Sequence, residues 1–244
     1  MTLVRILAAA ALVCSSALLY GSGGATAATT YYCFGQPATI VGTPGDDVLY
    51  GSGQTADVIV GLGGNDSIVG FDPSTEDIYE GSPLMGDRLC GGPGSDRIGG
   101  AMGEDRIQGG AGADRIEGSF GYDVTLQGGG GNDAVSDCDS EYTGGARTIS
   151  GGAGDDRLCI DVDPARMYGN GGNDVLIDLD CIDAHLLAGG PGNDQLESYV
   201  QSSEGMNCSE YADTGDRVSG GDGTDSARVS PADTVTETES VLRE

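Results

Sequence analysis

Three nonapeptides follow one another without slippage from Gly91 to Glu117: GGPGSDRIG, GAMGEDRIQ and GGAGADRIE. They follow G-G-x-G-x-D-x-U-x, with U a large apolar residue and Ala101 in the second glycine place of the middle copy. A fixed nine-residue phase confines the chain to folds that repeat one short unit. It excludes a flexible glycine-rich linker, which has no reason to hold Asp and Ile in register. Glycines in the first four positions permit positive φ and tight turns that expose backbone carbonyls. The sixth-position aspartate adds a hard anionic oxygen, the ligand type that Ca²⁺ prefers. The last three residues suit a short strand whose middle residue, here Ile98, Ile107 or Ile116, points inward while its neighbours point out.

Further clear copies begin at Gly42, Gly61, Gly128, Gly151, Gly169, Gly189 and Gly220. Weaker ones keep the aspartate and the inward residue but lose glycines, as at Asp57/Ile59, Asp77/Tyr79, Asp87/Leu89 and Asp216/Val218. In GSFGYDVTLQ the inward residue is Thr125 or, with one inserted residue, Leu126. Across roughly residues 42 to 230 the chain resembles the repeats-in-toxin (RTX, hemolysin-type) calcium-binding family. The resemblance implies an all-β chain wound as a right-handed parallel β-roll, with several Ca²⁺ ions as cofactor. The expected metal ligands are Asp47, Asp57, Asp66, Asp87, Asp96, Asp105, Asp114, Asp123, Asp133, Asp156, Asp174, Asp194, Asp216 and Asp225.

Residues 1 to 27, with one Arg, an apolar run and an Ala25-Thr26-Ala27 end, read as a cleavable signal peptide. Residues 28–41 are expected to cap one end of a roll over 42–230, and residues 231–244 the other. No later stretch has the length of about 18 apolar residues that a membrane span needs. The expectation is a secreted, extracellular monomer. Six cysteines lie beyond the leader, an even number that favours disulfides outside the cytoplasm. Residues one turn apart on a roll are neighbours, which favours Cys138–Cys159 and Cys181–Cys208 and leaves Cys33–Cys90 to tie the N-terminal cap down.

A net charge of −28, with no lysine at all, repels nucleic acid and anionic lipid and attracts cations. Arg88, Arg97, Arg106, Arg115, Arg157 and Arg217 follow ligand aspartates and should face solvent, moderating the acidity. One histidine excludes H-E-x-x-H, no G-x-S-x-G elbow occurs, and a chain without lysine has no phosphate-binding G-x-x-x-x-G-K-[ST] loop. With no C-x-x-C pair a zinc site is poorly supported. His185 falls near a ligand-aspartate position of a decayed turn, and reads as a surface or hydrogen-bonded histidine rather than a base. These features describe a calcium-binding structural or surface/matrix protein without catalysis that folds on the ion. The alternatives are an adhesin or partner-binding module with an unknown extracellular partner, and, behind these, a hydrolase whose site is not recognisable.

Two nonapeptides per turn place alternate copies on the same edge. Strict counting predicts one edge running through Asp57, Asp77, Asp96, Asp114, Asp133, Asp156, Asp174, Asp194 and Asp216. It assigns Asp47, Asp66, Asp87, Asp105 and Asp123 to the other, with ions between successive pairs. Beyond Asp123 that second edge keeps inward residues Ile149, Met167 and Leu187 but not the glycine-aspartate turn. The core is one inward residue per nonapeptide, and facing aspartates repel until a cation lies between them, so the chain is expected to need Ca²⁺ to fold.

Overall fold

The computed structural model describes residues 29–52, 55–71, 86–121, 123–137, 148–160, 165–179, 184–198 and 215–243. All regular elements among them are β-strands. They form two parallel sheets of ten strands, with alternate strands of the chain entering alternate sheets. The first sheet runs from Ile40–Val41 to Thr234–Thr236, and the second from Val48–Tyr50 to Ser240–Arg243. Each strand pairs in parallel with the strand two positions away in sequence, so two nonapeptides make one rung, and the chain is a β-solenoid.

The register keeps the inward column aligned. Ile68, Ile98, Ile116, Val135, Leu158, Leu176 and Leu196 are successive partners in the second sheet. Ile59, Leu89, Ile107, Leu126, Ile149, Met167, Leu187 and Val218 are partners in the first. These residues form one buried cluster between the sheets. The uncertain turn after Gly118 is settled by Leu126, which is fully buried, with Val124 as the inserted residue. The arginines after the aspartates face outward, as the pleat requires.

A second, small cluster lies outside the first sheet. The antiparallel pair Tyr32–Cys33 and Gln36–Pro37 brings Cys33 into a disulfide with Cys90, and Cys33 packs with Val58 and Val60. This is why Val58 and Val60, which flank the inward Ile59, are buried although they point away from the main core. Cys159 is also disulfide-bonded, to a residue outside the described ones. The expected pair Cys181–Cys208 lies wholly outside them.

Candidate metal centre

The turns that lead into the strands use their glycines for separate purposes. In the glycine turns that begin at Gly61, Gly91, Gly100, Gly109, Gly128, Gly151, Gly169, Gly189 and Gly220, positive φ falls at the second and fourth positions, as at Gly92 (+117°) and Gly94 (+146°), and is not spread over all four. In these turns the second position keeps this conformation when it is not glycine: Leu62, Ala101 and Asn170 have φ of +85°, +74° and +74°. At the fourth position a side chain is barred by the next rung, because a Cβ on Gly94 would lie 1.6 Å from the Gly64 carbonyl oxygen. The first glycine makes room for the aspartate of its own turn. A Cβ on Gly91 would lie 2.1 Å from Asp96 Oδ2. The third position is open, with nothing closer than 3.9 Å to a Cβ on Gly171.

Each turn therefore presents its aspartate over the first glycine and beside backbone carbonyls. In the turns entering the second sheet, the backbone N–H of Asp47 donates to Oδ1 of Asp66, and the bond repeats without interruption. Asp66, Asp96, Asp114, Asp133, Asp156, Asp174 and Asp194 donate in turn to Asp96, Asp114, Asp133, Asp156, Asp174, Asp194 and Asp225, each at 2.8 Å. Glu239 ends the column by accepting from the Asp225 N–H. In the turns entering the first sheet, Asp57, Asp87 and Asp105 donate likewise to Asp87, Asp105 and Asp123. That column then breaks and resumes only with Asp216, whose N–H donates to Asp233 Oδ1.

These columns correct the edge assignment made by counting. Asp47 and Asp66 belong with Asp96, Asp57 belongs with Asp87, Asp225 continues from Asp194, and Asp216 lies on the broken edge. The reason is inserted sequence. Most rungs repeat every 18 to 20 residues, but Asp66 to Asp96 spans 30 and Asp194 to Asp225 spans 31. Strict counting treated each insertion as another half-rung. Asp77, the aspartate counted there, lies outside the described residues.

With Oδ1 fixed by the neighbouring rung, the second carboxylate oxygen decides what the column can bind. Oδ2 of Asp66, Asp96, Asp105, Asp114, Asp133, Asp156, Asp174, Asp194 and Asp225 is buried and has no hydrogen-bond partner. A buried anionic oxygen without a partner is costly. The cost is visible in the carboxyl groups, which burial drives up, with the charge of adjacent aspartates adding to it in most turns. Asp105 is pushed to about 8, Asp123 to about 9, Asp87 and Asp156 to about 7, and Asp96, Asp114 and Asp194 to about 6. Hard oxygens repeated at each rung, with carbonyls at glycine turns, fit Ca²⁺. The first rung differs. Oδ2 of Asp47 accepts from Thr43 N–H and hydroxyl, and Oδ2 of Asp57 from Ser52 N–H and hydroxyl.

Sequence reasoning missed a second polar ladder. The residue before the ligand aspartate of the second-sheet turns carries it in the opposite direction: Asn65 N–H donates to Asp46, Ser95 to Asn65, Asp155 to Asn132, Asn173 to Asp155, and Asn193 to Asn173. The signal was present in the recurring Asn, Asp or Ser at that position. Also missed were buried residues that replace the first glycine where the broken edge has lost its turns. Asp137, Ile160, Asp178, Ser198 and Val229 occupy this place. His185 sits at the ligand-aspartate position itself, donating its N–H to Asp216 Oδ1. Its ring is buried and not on the surface, with Nδ1 2.5 Å from Asp178 Oδ2.

The family model for the RTX calcium-binding nonapeptide repeat (four copies) matches the chain at residues 38–55, 52–72, 91–124, 143–159 and 166–178. No curated protein and no solved structure was found to match it.

Proposed function

For a chain that belongs to the RTX calcium-binding nonapeptide-repeat family, we propose a secreted structural role in which stacked Ca²⁺ ions hold the roll together and present its faces to an extracellular surface or matrix. The chain is a calcium-binding repeat protein. The observation that carries the rest of the reading is the column of buried Oδ2 atoms without partners from Asp66 to Asp225. An ion between successive turns would take one oxygen from each, neutralise two buried charges and bind the rungs to one another. Eight such pairs run from Asp47 to Asp225, and three more, 57/87, 87/105 and 105/123, lie on the broken edge. Asp216 faces Asp233 and His185 instead of a complete turn.

The leader-like residues 1–27, the disulfides and the acidic charge support export to a calcium-rich, oxidising medium. No helix among the described residues is long and apolar enough to cross a membrane. The regular aspartate phase is spent on the columns, so a non-catalytic scaffold is the simplest role for them. Circular dichroism tests the reading. In chelator at neutral pH the protein should show mostly disordered signal, and β signal should rise with a midpoint near 10⁻⁴–10⁻³ M Ca²⁺, the range of extracellular modules. A full β spectrum in chelator, unchanged by Ca²⁺, would remove the ion from the folding mechanism.

A further inference from the structure

We propose that Asp178, His185 and Asp216 form a metal site of a second chemical class, selective for a zinc-like divalent transition ion and separate from the calcium columns. Asp178 closes a second-sheet strand, Val175–Asp178, and takes the place that a turn glycine holds in complete rungs. His185 takes the ligand-aspartate place of that same turn, and Asp216 the same place on the next rung. All three side chains are buried, at 0%, 3% and 4% exposure. Each offers one donor atom, and the three atoms lie within 4.8 Å of one another. Metal–ligand bonds of about 2.0–2.2 Å to imidazole and carboxylate place such donors roughly 3–4 Å apart, so the Asp178–His185 contact has to open by about half an ångström or more, and any pair near the 4.8 Å limit has to close by about 1 Å.

Donor type sets the selectivity. Calcium takes oxygen ligands, and an imidazole at the aspartate place disfavours it, whereas zinc accepts nitrogen and carboxylate together. Charge points the same way. Two buried carboxylates, one of them hydrogen-bonded to the His185 ring, make an acidic pocket that suits a divalent cation. Asp178 and His185 stand at the two ends of one turn, 7 positions apart, and Asp216 lies 31 positions on in the next rung, a spacing that no short motif reveals.

The chain has a single histidine, so its ring nitrogens report on this site alone. The experiment titrates Zn²⁺ into ¹⁵N-histidine-labelled protein held in saturating Ca²⁺, and follows the imidazole nitrogen resonances by NMR. The expected result is a change in the ring signals complete at one equivalent of Zn²⁺, with Ca²⁺ failing to compete. In His185→Gln the first zinc equivalent should bind at least tenfold more weakly, while calcium stoichiometry is kept. Ring signals unmoved by zinc in the wild-type protein would overturn the proposal and leave Asp178–His185 as a hydrogen-bonded pair only. Zinc binding with equal affinity in His185→Gln would place the ion on other carboxylates and overturn it equally. Should His185→Gln not fold, the wild-type ring signals decide the matter alone.

Discussion

The backbone N–H of Asp66 donates to Oδ1 of Asp96 at 2.8 Å, across thirty residues of sequence and one rung of the roll. That bond divides the labour of the carboxylate. One oxygen is held by the protein, which fixes the side chain's direction, and the other is left for an ion. Repeated along the column, it makes every aspartate both a link between rungs and a ligand.

A substitution in mid-column should therefore cost more calcium than one at its start. Asp114→Asn keeps the shape and an acceptor for the Asp96 N–H, but removes the charge and the oxygen shared with ions on both sides. It should lose about two ions per chain. Asp47→Asn should lose at most about one, because Oδ2 of Asp47 is already held by Thr43. Calcium content after equilibrium dialysis measures the difference, and equal losses would show that rung position does not matter.

Adjacent glycines should respond in opposite ways to the same change. At Gly130 φ is not positive and a Cβ would meet nothing closer than 4.0 Å, so Gly130→Ala should stabilise by about 0.4–1 kcal/mol through the unfolded chain. At Gly131 φ is +120° and a Cβ would lie 2.0 Å from the Gly112 carbonyl oxygen. Gly131→Ala should cost at least about 1–3 kcal/mol. Thermal unfolding of both variants in saturating Ca²⁺ provides the comparison, and a common direction of change would contradict the turn geometry.

The fold was legible because a nine-residue phase carries both the turn and the inward residue, so Ile98 and Ile107 declare their sheets by position alone. Edge membership was not, because it depends on parity, and parity is destroyed by inserted sequence that itself contains an aspartate and an apolar residue, as at Asp77 and Tyr79. The role of His185 was hidden for another reason. Its environment is made by Asp178 and Asp216, which only the winding brings together. Glu239, which stands in for the next aspartate at the end of the column, breaks the repeat in sequence while continuing it in space.

The Cys33–Cys90 disulfide closes a separation of 57 residues and holds the N-terminal hairpin against Val58 and Val60. On the chain-entropy account a loop of that length is worth about 4 kcal/mol. A Cys33→Ser/Cys90→Ser variant should lose roughly 2–4 kcal/mol, and hydrogen exchange should accelerate first at Val58 and Val60, whose outward side chains lose their cover. Acceleration that begins at Leu196 and Val218, at the far end of the roll, would show that the disulfide stabilises the chain only through its unfolded state.

Proton linkage has opposite signs with and without calcium. In the ion-free roll burial raises the aspartates to about 6 at Asp96 and about 9 at Asp123, above their unfolded values near 4. A group with a raised folded pKa contributes stability that is fully present below its unfolded pKa, and loses it as pH rises through the folded one. In chelator, β signal should therefore be greatest near pH 4 and decline as pH rises from there toward the folded values of about 6 to 9. Calcium needs the ionised carboxylates, so binding it to the protonated roll at acidic pH must expel protons. Calorimetric titration in buffers of different ionisation enthalpy should find more protons released at pH 5 than at pH 7.5, where the ion-free chain is disordered and its carboxylates already ionised, with the calcium midpoint shifting to higher concentration as pH falls. Proton release as large at pH 7.5 as at pH 5, together with ion-free β signal that rises with pH, would show that the buried carboxylates are not the groups calcium engages.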